Sequence, residues 1–388
     1  MMKPSSSEHT IRPASGSSPA SVQTSTRPRS YHDEKDIQNT LQLREILKEF
    51  PPFAKQYFLG IESTTATRTR LSYAYDIRTF FRYLQENNPI LSKKEKDILT
   101  WDVSVLDQIQ PTDIEEYESF LKVYTVDPSL VGAVREETFT NGEKGLKRKM
   151  SALRSFYAYY FKRQMIRTNP TLLVDMPKLH EKAIVRLDAG ESAALLDLIE
   201  HGGDDLTGQK KRYYEKTRLR DLAIVTLLLG TGIRVSECVG LDVTDVDFRN
   251  NGIRIIRKGG SESIVYFGGE VEKALRDYLE ERKSIVPQPG EENALFYSTQ
   301  RRRMGVQAVE NMVKKYARQI TTTKKITPHK LRSTYGTALY QQTGDIYLVA
   351  DVLGHKDVNT TRKHYAAMDD ARRRSAAGAV RLRETPES

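Results

Sequence analysis

The sequence predicts a mainly α protein with a small β-hairpin in its second half, an α+β chain of two domains. Three observations carry this. Apolar residues recur at helical spacing almost without interruption from about residue 40 to 175. Residues 252–267, GIRIIRKGGSESIVYF, are two β-rich runs around a Gly-Gly turn, the mark of a hairpin. The chain has 388 residues, enough to bury two cores.

Taken in order, residues 1–38 are rich in Ser, Thr and Pro and poor in large apolar groups, so they read as a disordered tail unable to offset its ordering entropy. Residues 39–172 read as an all-helical domain. TRTRLSYAYDIRTFFRYLQENNP places Tyr73, Ile77, Phe80 or Phe81, and Leu84 on one face and Arg68, Arg78 and Arg82 on others. Asn87, Asn88 and Pro89 stop it. Thr112 and Glu115 form a capping-box pattern before EYESFLKVY. GLKRKMSALRSFYAYYFKRQ turns Leu146, Met150, Leu153, Tyr157 and Tyr160 inward, and Lys147, Arg148, Lys149, Arg154, Lys162 and Arg163 elsewhere. Those cations read either as an ordinary solvated face or as contacts along phosphates.

Residues 173–184, extended and charged, read as a linker, and residues 185–370 as a second domain. Asp188 caps its first helix with Glu191 three residues on. HGGDDLTGQKKRYYEKT, from His201 to Thr217, reads as a loop insertion, and RLRDLAIVTLLLGTG as an apolar helix central to the second core, ending at Gly230 and Gly232. After the hairpin come the helix VEKALRDYLEERKSI, a strand-like LFYS and the amphipathic VQAVENMVKKYARQI. Residues 371–388 read as a C-terminal helix and tail.

Lys plus Arg number 61 against 51 Asp plus Glu, a net charge of +10 that favours a polyanionic partner. The single cysteine, Cys238, excludes an intrachain disulfide and a cysteine metal cluster, and reads as buried packing in a cytoplasmic protein. No apolar run approaches the length of a membrane span, and the start of the chain carries no export signal.

Residues 327–365 hold three of the seven histidines. Thr327 and Pro328 read as a helix start, which sets His329 and Arg332 one turn apart near a positive helix end, an arrangement suited to a phosphate. Arg234 follows the Gly-rich break in GTGIRVSECVGL, Lys258 sits at the hairpin turn, and His355 and Tyr365 lie in LGHKDVNTTRKHY. Singly each has an ordinary structural explanation. Arg234 pairs easily with Glu237, and Lys258 is a plausible plain turn lysine. Tyr335, Tyr340 and Tyr347 rival Tyr365 but read as core.

In this order the motifs GIRVSE, RKGG, HKLR and LGH, with a tyrosine ten residues past that last histidine, resemble the tyrosine recombinases of the phage integrase and Xer group. The resemblance runs over about residues 45–370, and it implies a C-shaped clamp on double-stranded DNA. It further implies that Tyr365 attacks the scissile phosphate to give a 3′-phosphotyrosyl link, that Arg234 and Arg332 grip its oxygens, that Lys258 is the general acid, and that His329 and His355 assist. Because that link conserves the phosphodiester energy, neither ATP nor a high-energy cofactor is expected, and with arginines carrying the charge role no metal is expected either. Ser333 stands where many relatives carry a second histidine, and Val235 where Ile or Leu is usual. The group further implies a Holliday junction and a homo-tetramer on DNA, with monomers or dimers when free, and an accessory directionality factor as a possible partner. The tail and the insertion lean towards integration and excision of a mobile element. The alternatives are Xer-type resolution of chromosome dimers, a type IB topoisomerase, and a non-catalytic DNA-binding protein.

Overall fold

The computed structural model describes residues 30–94, 97–126, 137–180, 184–257, 260–355, 357 and 358. Two large hydrophobic clusters organise them, one built from residues between Leu43 and Val174 and the other from residues between Leu187 and Leu331, and a small third one lies between Tyr340 and Leu353.

The first cluster is made by α1 (Tyr31–Ile46), α2 (Pro52–Gly60), α3 (Thr67–Asn87), the single turn α4 (Leu91–Lys94), α5 (Pro111–Lys122) and α6 (Glu143–Lys162). Its centre is aromatic. Phe53, Tyr57, Phe81, Phe156 and Tyr160 meet largely edge to face, the arrangement that ring quadrupoles favour. The Tyr57 hydroxyl donates to Ser155 Oγ at 2.8 Å and that of Tyr160 to the carbonyl of Phe53 at 2.7 Å, whereas the buried hydroxyl of Tyr157 meets no hydrogen-bond partner among the described residues. The inward residues expected on α6, Leu146, Met150, Leu153, Tyr157 and Tyr160, are all buried.

Three expectations for this half need correction. Residues 31–38 are not tail but the first two turns of α1, because Ser30 and Asp33 close a reciprocal capping box, Asp33 N donating to Ser30 Oγ and Ser30 N to the Asp33 carboxylate. The half is not all-helical, since β1 (Val123–Val126) pairs antiparallel with β2 (Glu137–Thr140), with Tyr124 stacked on Phe139. VYTV and ETFT are only four residues each and show no clear alternation, too little to stand out between helices. The cap of α5 is Gln110, whose N–H donates to Asp113 at 2.7 Å, not Thr112 with Glu115.

The second cluster is built on α7 (Ala189–His201), α8 (Gly208–Thr231), α9 (Val235–Gly240), β3 (Val246–Asp247), β4 (Gly252–Ile256), β5 (Glu262–Tyr266), α10 (Gly269–Arg282), α11 (Val306–Ile320) and the start of α12 (Pro328–Thr343), while the rest of α12 packs with α13 (Ile346–Leu353) in a small third cluster of Tyr340, Val349 and Leu353. The strands form one antiparallel sheet in the order β3-β4-β5, with Ile253 opposite Val265. Asp188 and Glu191 close the expected box at the head of α7. The expected insertion at 201–217 is shorter, because α8 begins at Gly208 and runs unbroken through QKKRYYEKT into the apolar half. No Pro or Gly interrupts residues 209–229, and Lys, Arg, Gln and Glu are good helix formers. LFYS is not a strand. Tyr297 makes an isolated bridge to Arg303, Ala294 just before the run makes another to Asp242, and Leu295 N donates to the carbonyl of Leu241 at 2.9 Å.

Cys238 lies fully buried on α9, and burial pushes its thiol up to about 12. Tyr31 at the start of α1 packs against the second cluster, with Arg303 over its ring, while Leu43 and Ile46 at the other end belong to the first. Among the described residues no helix is long and apolar enough to cross a membrane.

Candidate active site

The end of α8 sets the first wall of the site. Gly232 terminates the helix in the left-handed region at φ +63°, and a Cβ there would stand 2.4 Å from Cδ1 of Tyr335 on α12. Two residues on, Arg234 is the N-cap of α9. Glu237, itself buried, accepts its backbone N–H at 2.8 Å and its Nη1 at 2.8 Å. One carboxylate thus fixes both the backbone and the guanidinium of Arg234, whose side chain stays one-third exposed at 34%.

Helix α12 supplies the next pair. Pro328 occupies its first turn as expected, but the Thr327 side chain makes no cap hydrogen bond. His329 is exposed on that first turn, and its carbonyl accepts from Ser333 Oγ at 3.1 Å. Arg332, one turn further, is buried with 3% exposure. Its Nη1 donates to the carbonyl of Gly232 at 2.6 Å and its Nη2 to that of Leu353.

Helix α13 ends in the LGH triplet. Gly354 takes φ +61°, and the N–H groups of Gly354 and His355 return to the carbonyls of Asp351 and Ala350 at 2.8 and 2.9 Å, a Schellman-type closure. Arg234 Nη2 reaches the carbonyl of Gly354 at 3.4 Å. His355 follows directly and is half-buried. The structure therefore gathers Arg234, Arg332 and His355 around one helix C-terminus, where guanidinium charge is favourable. Lys258 and Tyr365 lie outside the described residues. Of the rival tyrosines, Tyr340 is buried and Tyr335 half-buried, whereas Tyr347 is 71% exposed and so is not core.

One residue at this turn escaped sequence reasoning. Arg257, at the end of β4, donates through Nη2 to the carbonyl of Val352 at 3.0 Å and lies against Gly354. The available signal was a second cation beside the hairpin lysine in RKGG.

The cations offered as DNA contacts divide. Arg68 is exposed and Lys147 half-buried. Arg78 and Arg82 both pair with Glu49, at 2.9 and 2.7 Å. Burial, with Arg78 alongside, lowers the pKa of Arg82. Arg148 pairs with the buried carboxylate of Asp76, which Lys149 also reaches at 3.2 Å. Burial raises the Asp76 pKa above its ordinary value, and the two cations oppose that rise. Arg154 turns inward to the carbonyls of Thr171 and Val174.

Residues 193–372 match the Phage integrase family. The chain is 33% identical over 348 residues to the tyrosine recombinase XerC of Caldanaerobacter subterraneus subsp. tengcongensis, covering 87% of this chain and 88% of that one. It is 28% identical to the XerC of Syntrophus aciditrophicus, over 83% and 93% of the two chains. In fold it is similar to the XerH site-specific recombinase in its post-cleavage complex with a palindromic difH substrate, with a TM-score of 0.56, 20% identity and 80% of each chain covered. With relatives this close along nearly its whole length, the chain belongs to the tyrosine recombinases and is a site-specific DNA recombinase.

Proposed function

We propose that this recombinase cuts and rejoins double-stranded DNA through a 3′-phosphotyrosyl intermediate formed by Tyr365. The Tyr365 oxygen attacks the scissile phosphorus, the bond from phosphorus to the 5′-oxygen breaks, and Lys258 delivers a proton to that leaving oxygen. Arg234 and Arg332 hold the non-bridging oxygens, where their planar forks stabilise the transition-state charge. His355 hydrogen-bonds the phosphate and His329 assists proton transfer at the nucleophile. A 5′-hydroxyl of the partner duplex then attacks the phosphotyrosine and releases the enzyme, with no energy input because one phosphodiester is exchanged for another. The observation that carries this reading is the meeting of Arg234 and Arg332 at the turn before His355.

The reaction runs in a tetramer on two duplexes through a Holliday junction, assembled from monomers or dimers, and an accessory factor sets its direction. The division at residues 173–184 separates a DNA-embracing first domain from the catalytic one. Of the two biological roles, Xer-type resolution of chromosome dimers now has the better support. The relatives carry the XerC name, and the 201–217 segment that favoured a mobile-element integrase is mostly the first turns of α8.

The test is a suicide-substrate cleavage assay in EDTA without ATP, comparing wild type with Tyr365→Phe on the chromosome-dimer site and on junctions flanking the gene. A covalent adduct absent from the variant supports the reading, and the DNA that is cut selects the role. Binding without an adduct on any substrate overturns it.

A further inference from the structure

We propose that Arg257 is a positioning residue for strand cleavage, acting by holding the turn that presents His355. The inference rests on the catalytic reading above and adds to it a residue outside the six assigned there.

Three consecutive carbonyls close α13, and each receives a different arginine. Val352 accepts from Arg257, Leu353 from Arg332 and Gly354 from Arg234. The last two belong to the catalytic set. Arg257 comes from another element, the end of β4, where its own backbone is fixed by the hairpin turn: its N–H donates to Ser261 O at 2.8 Å and its carbonyl accepts from Gly260 at 3.0 Å. Its Nη2 also lies 3.5 Å from Ser263 Oγ on β5. A rigid antiparallel pair therefore braces the helix end through one side chain.

The fit at the turn is close. A Cβ on Gly354 would stand 2.0 Å from Arg257 Nη1 and 2.5 Å from its Cζ, so the guanidinium occupies the space that a side chain at 354 would fill. Glycine here serves two needs, the left-handed φ of +61° and the room for Arg257. His355 is the next residue, and its backbone N–H is tied to Ala350 O by the same turn. A cation clamped on the last carbonyls also suits the negative end of the helix dipole. Loosening the clamp lets the turn, and the imidazole it carries, drift relative to Arg234 and Arg332.

The experiment is a double-mutant cycle on single-turnover cleavage of a suicide substrate, with Arg257→Met, His355→Ala and the pair, and with Arg257→Lys alongside. Met keeps the apolar stem and removes the donors. Arg257→Met is expected to slow cleavage by about 10- to 100-fold, the scale of a small misplacement at an active site, while DNA affinity holds. In the His355→Ala background the same change is expected to cost less than about 3-fold, because the two act as a unit. Arg257→Lys, which can still reach Val352 O, recovers part of the rate. Full additivity in the cycle, or cleavage by Arg257→Met at the wild-type rate, overturns the inference. A folding defect is separated by thermal unfolding, since destabilisation alone slows cleavage equally in both backgrounds and so reads as additivity. If wild type forms no adduct, the catalytic reading falls first and the inference with it.

Discussion

Arg332 Nη2 and Arg234 Nη2 donate to neighbouring carbonyls, those of Leu353 and Gly354, so residues far apart in sequence are held side by side at one helix end. Their burial differs, and so will their loss. Arg332→Ala leaves the carbonyl of Gly232 and that of Leu353 unpaired in a buried place, and is expected to cost about 2–4 kcal/mol of stability. Arg234→Lys keeps a cation at a partly exposed position and should unfold near the wild-type temperature. Both are expected to lower the cleavage rate by about 10²–10³-fold. Paired thermal denaturation and single-turnover cleavage check this, and an Arg332→Ala protein as stable as wild type contradicts it.

Gly232 tests the wall on the other side of Arg234. Alanine there meets a left-handed φ of +63° and a Cβ only 2.4 Å from the ring of Tyr335. The backbone alone costs about 1–2 kcal/mol. Adding Tyr335→Leu removes the ring contact but not the backbone penalty, so the double variant should recover part of the loss, as read by urea denaturation.

The basic face of the first half separates into structural and available cations. Asp76 is 2% exposed and holds both Arg148 and Lys149. Asp76→Asn leaves two cations short of their partner and is expected to destabilise by about 3 kcal/mol. Arg148→Ala also removes one side of this buried group. Arg68→Ala, by contrast, should leave stability unchanged while reducing the salt dependence of DNA binding by about one unit of slope if that exposed residue meets a phosphate. Titrations of DNA affinity against salt for Arg68→Ala and Arg148→Ala decide whether stability and binding divide this way.

Alkaline pH tests the aromatic core. Burial raises the phenols of Tyr57, Tyr117, Tyr157, Tyr160 and Tyr316 above their ordinary value near 10, and that of Tyr278 to about 12. In the unfolded chain these groups lose their protons near 10, while in the folded chain they keep them. Above that pH the unfolded state binds fewer protons, so stability falls as pH rises, by about 1.4 kcal/mol per unit for each such phenol until its folded pKa is reached. Phenolate absorbance is expected to rise in two stages, exposed tyrosines first and the buried set together with unfolding. A single smooth titration of all 20 tyrosines would contradict the burial pattern.

Much of this was legible in the sequence where a pattern is local. The stripes of α3 and α6, the Asp188 and Glu191 cap, the stop at Gly232 and the Gly-Gly hairpin all rest on neighbours within a turn or two. The boxes GIRVSE, HKLR and LGH named three residues that the fold does bring together. What could not be read was non-local. Nothing near Arg148 announces that Asp76, 72 residues earlier, holds it, and nothing near Arg82 points to Glu49. The polar start of α8 lacks an apolar stripe because its early turns face outward, so charge alone suggested a loop. Arg257 was hidden for the same reason, since its partner carbonyl is 95 residues away.

The burial of Cys238 has a practical consequence. With its thiol sealed in the second core and held protonated to about pH 12, the only native sulfhydryl should be silent towards maleimides under native conditions. New cysteines placed on the exposed faces of α1 and α11 would then accept fluorophores without any native residue being replaced. The distance between the two halves of the chain becomes directly measurable as DNA is added, and slow reaction of Cys238 itself becomes a clock for opening of the second core.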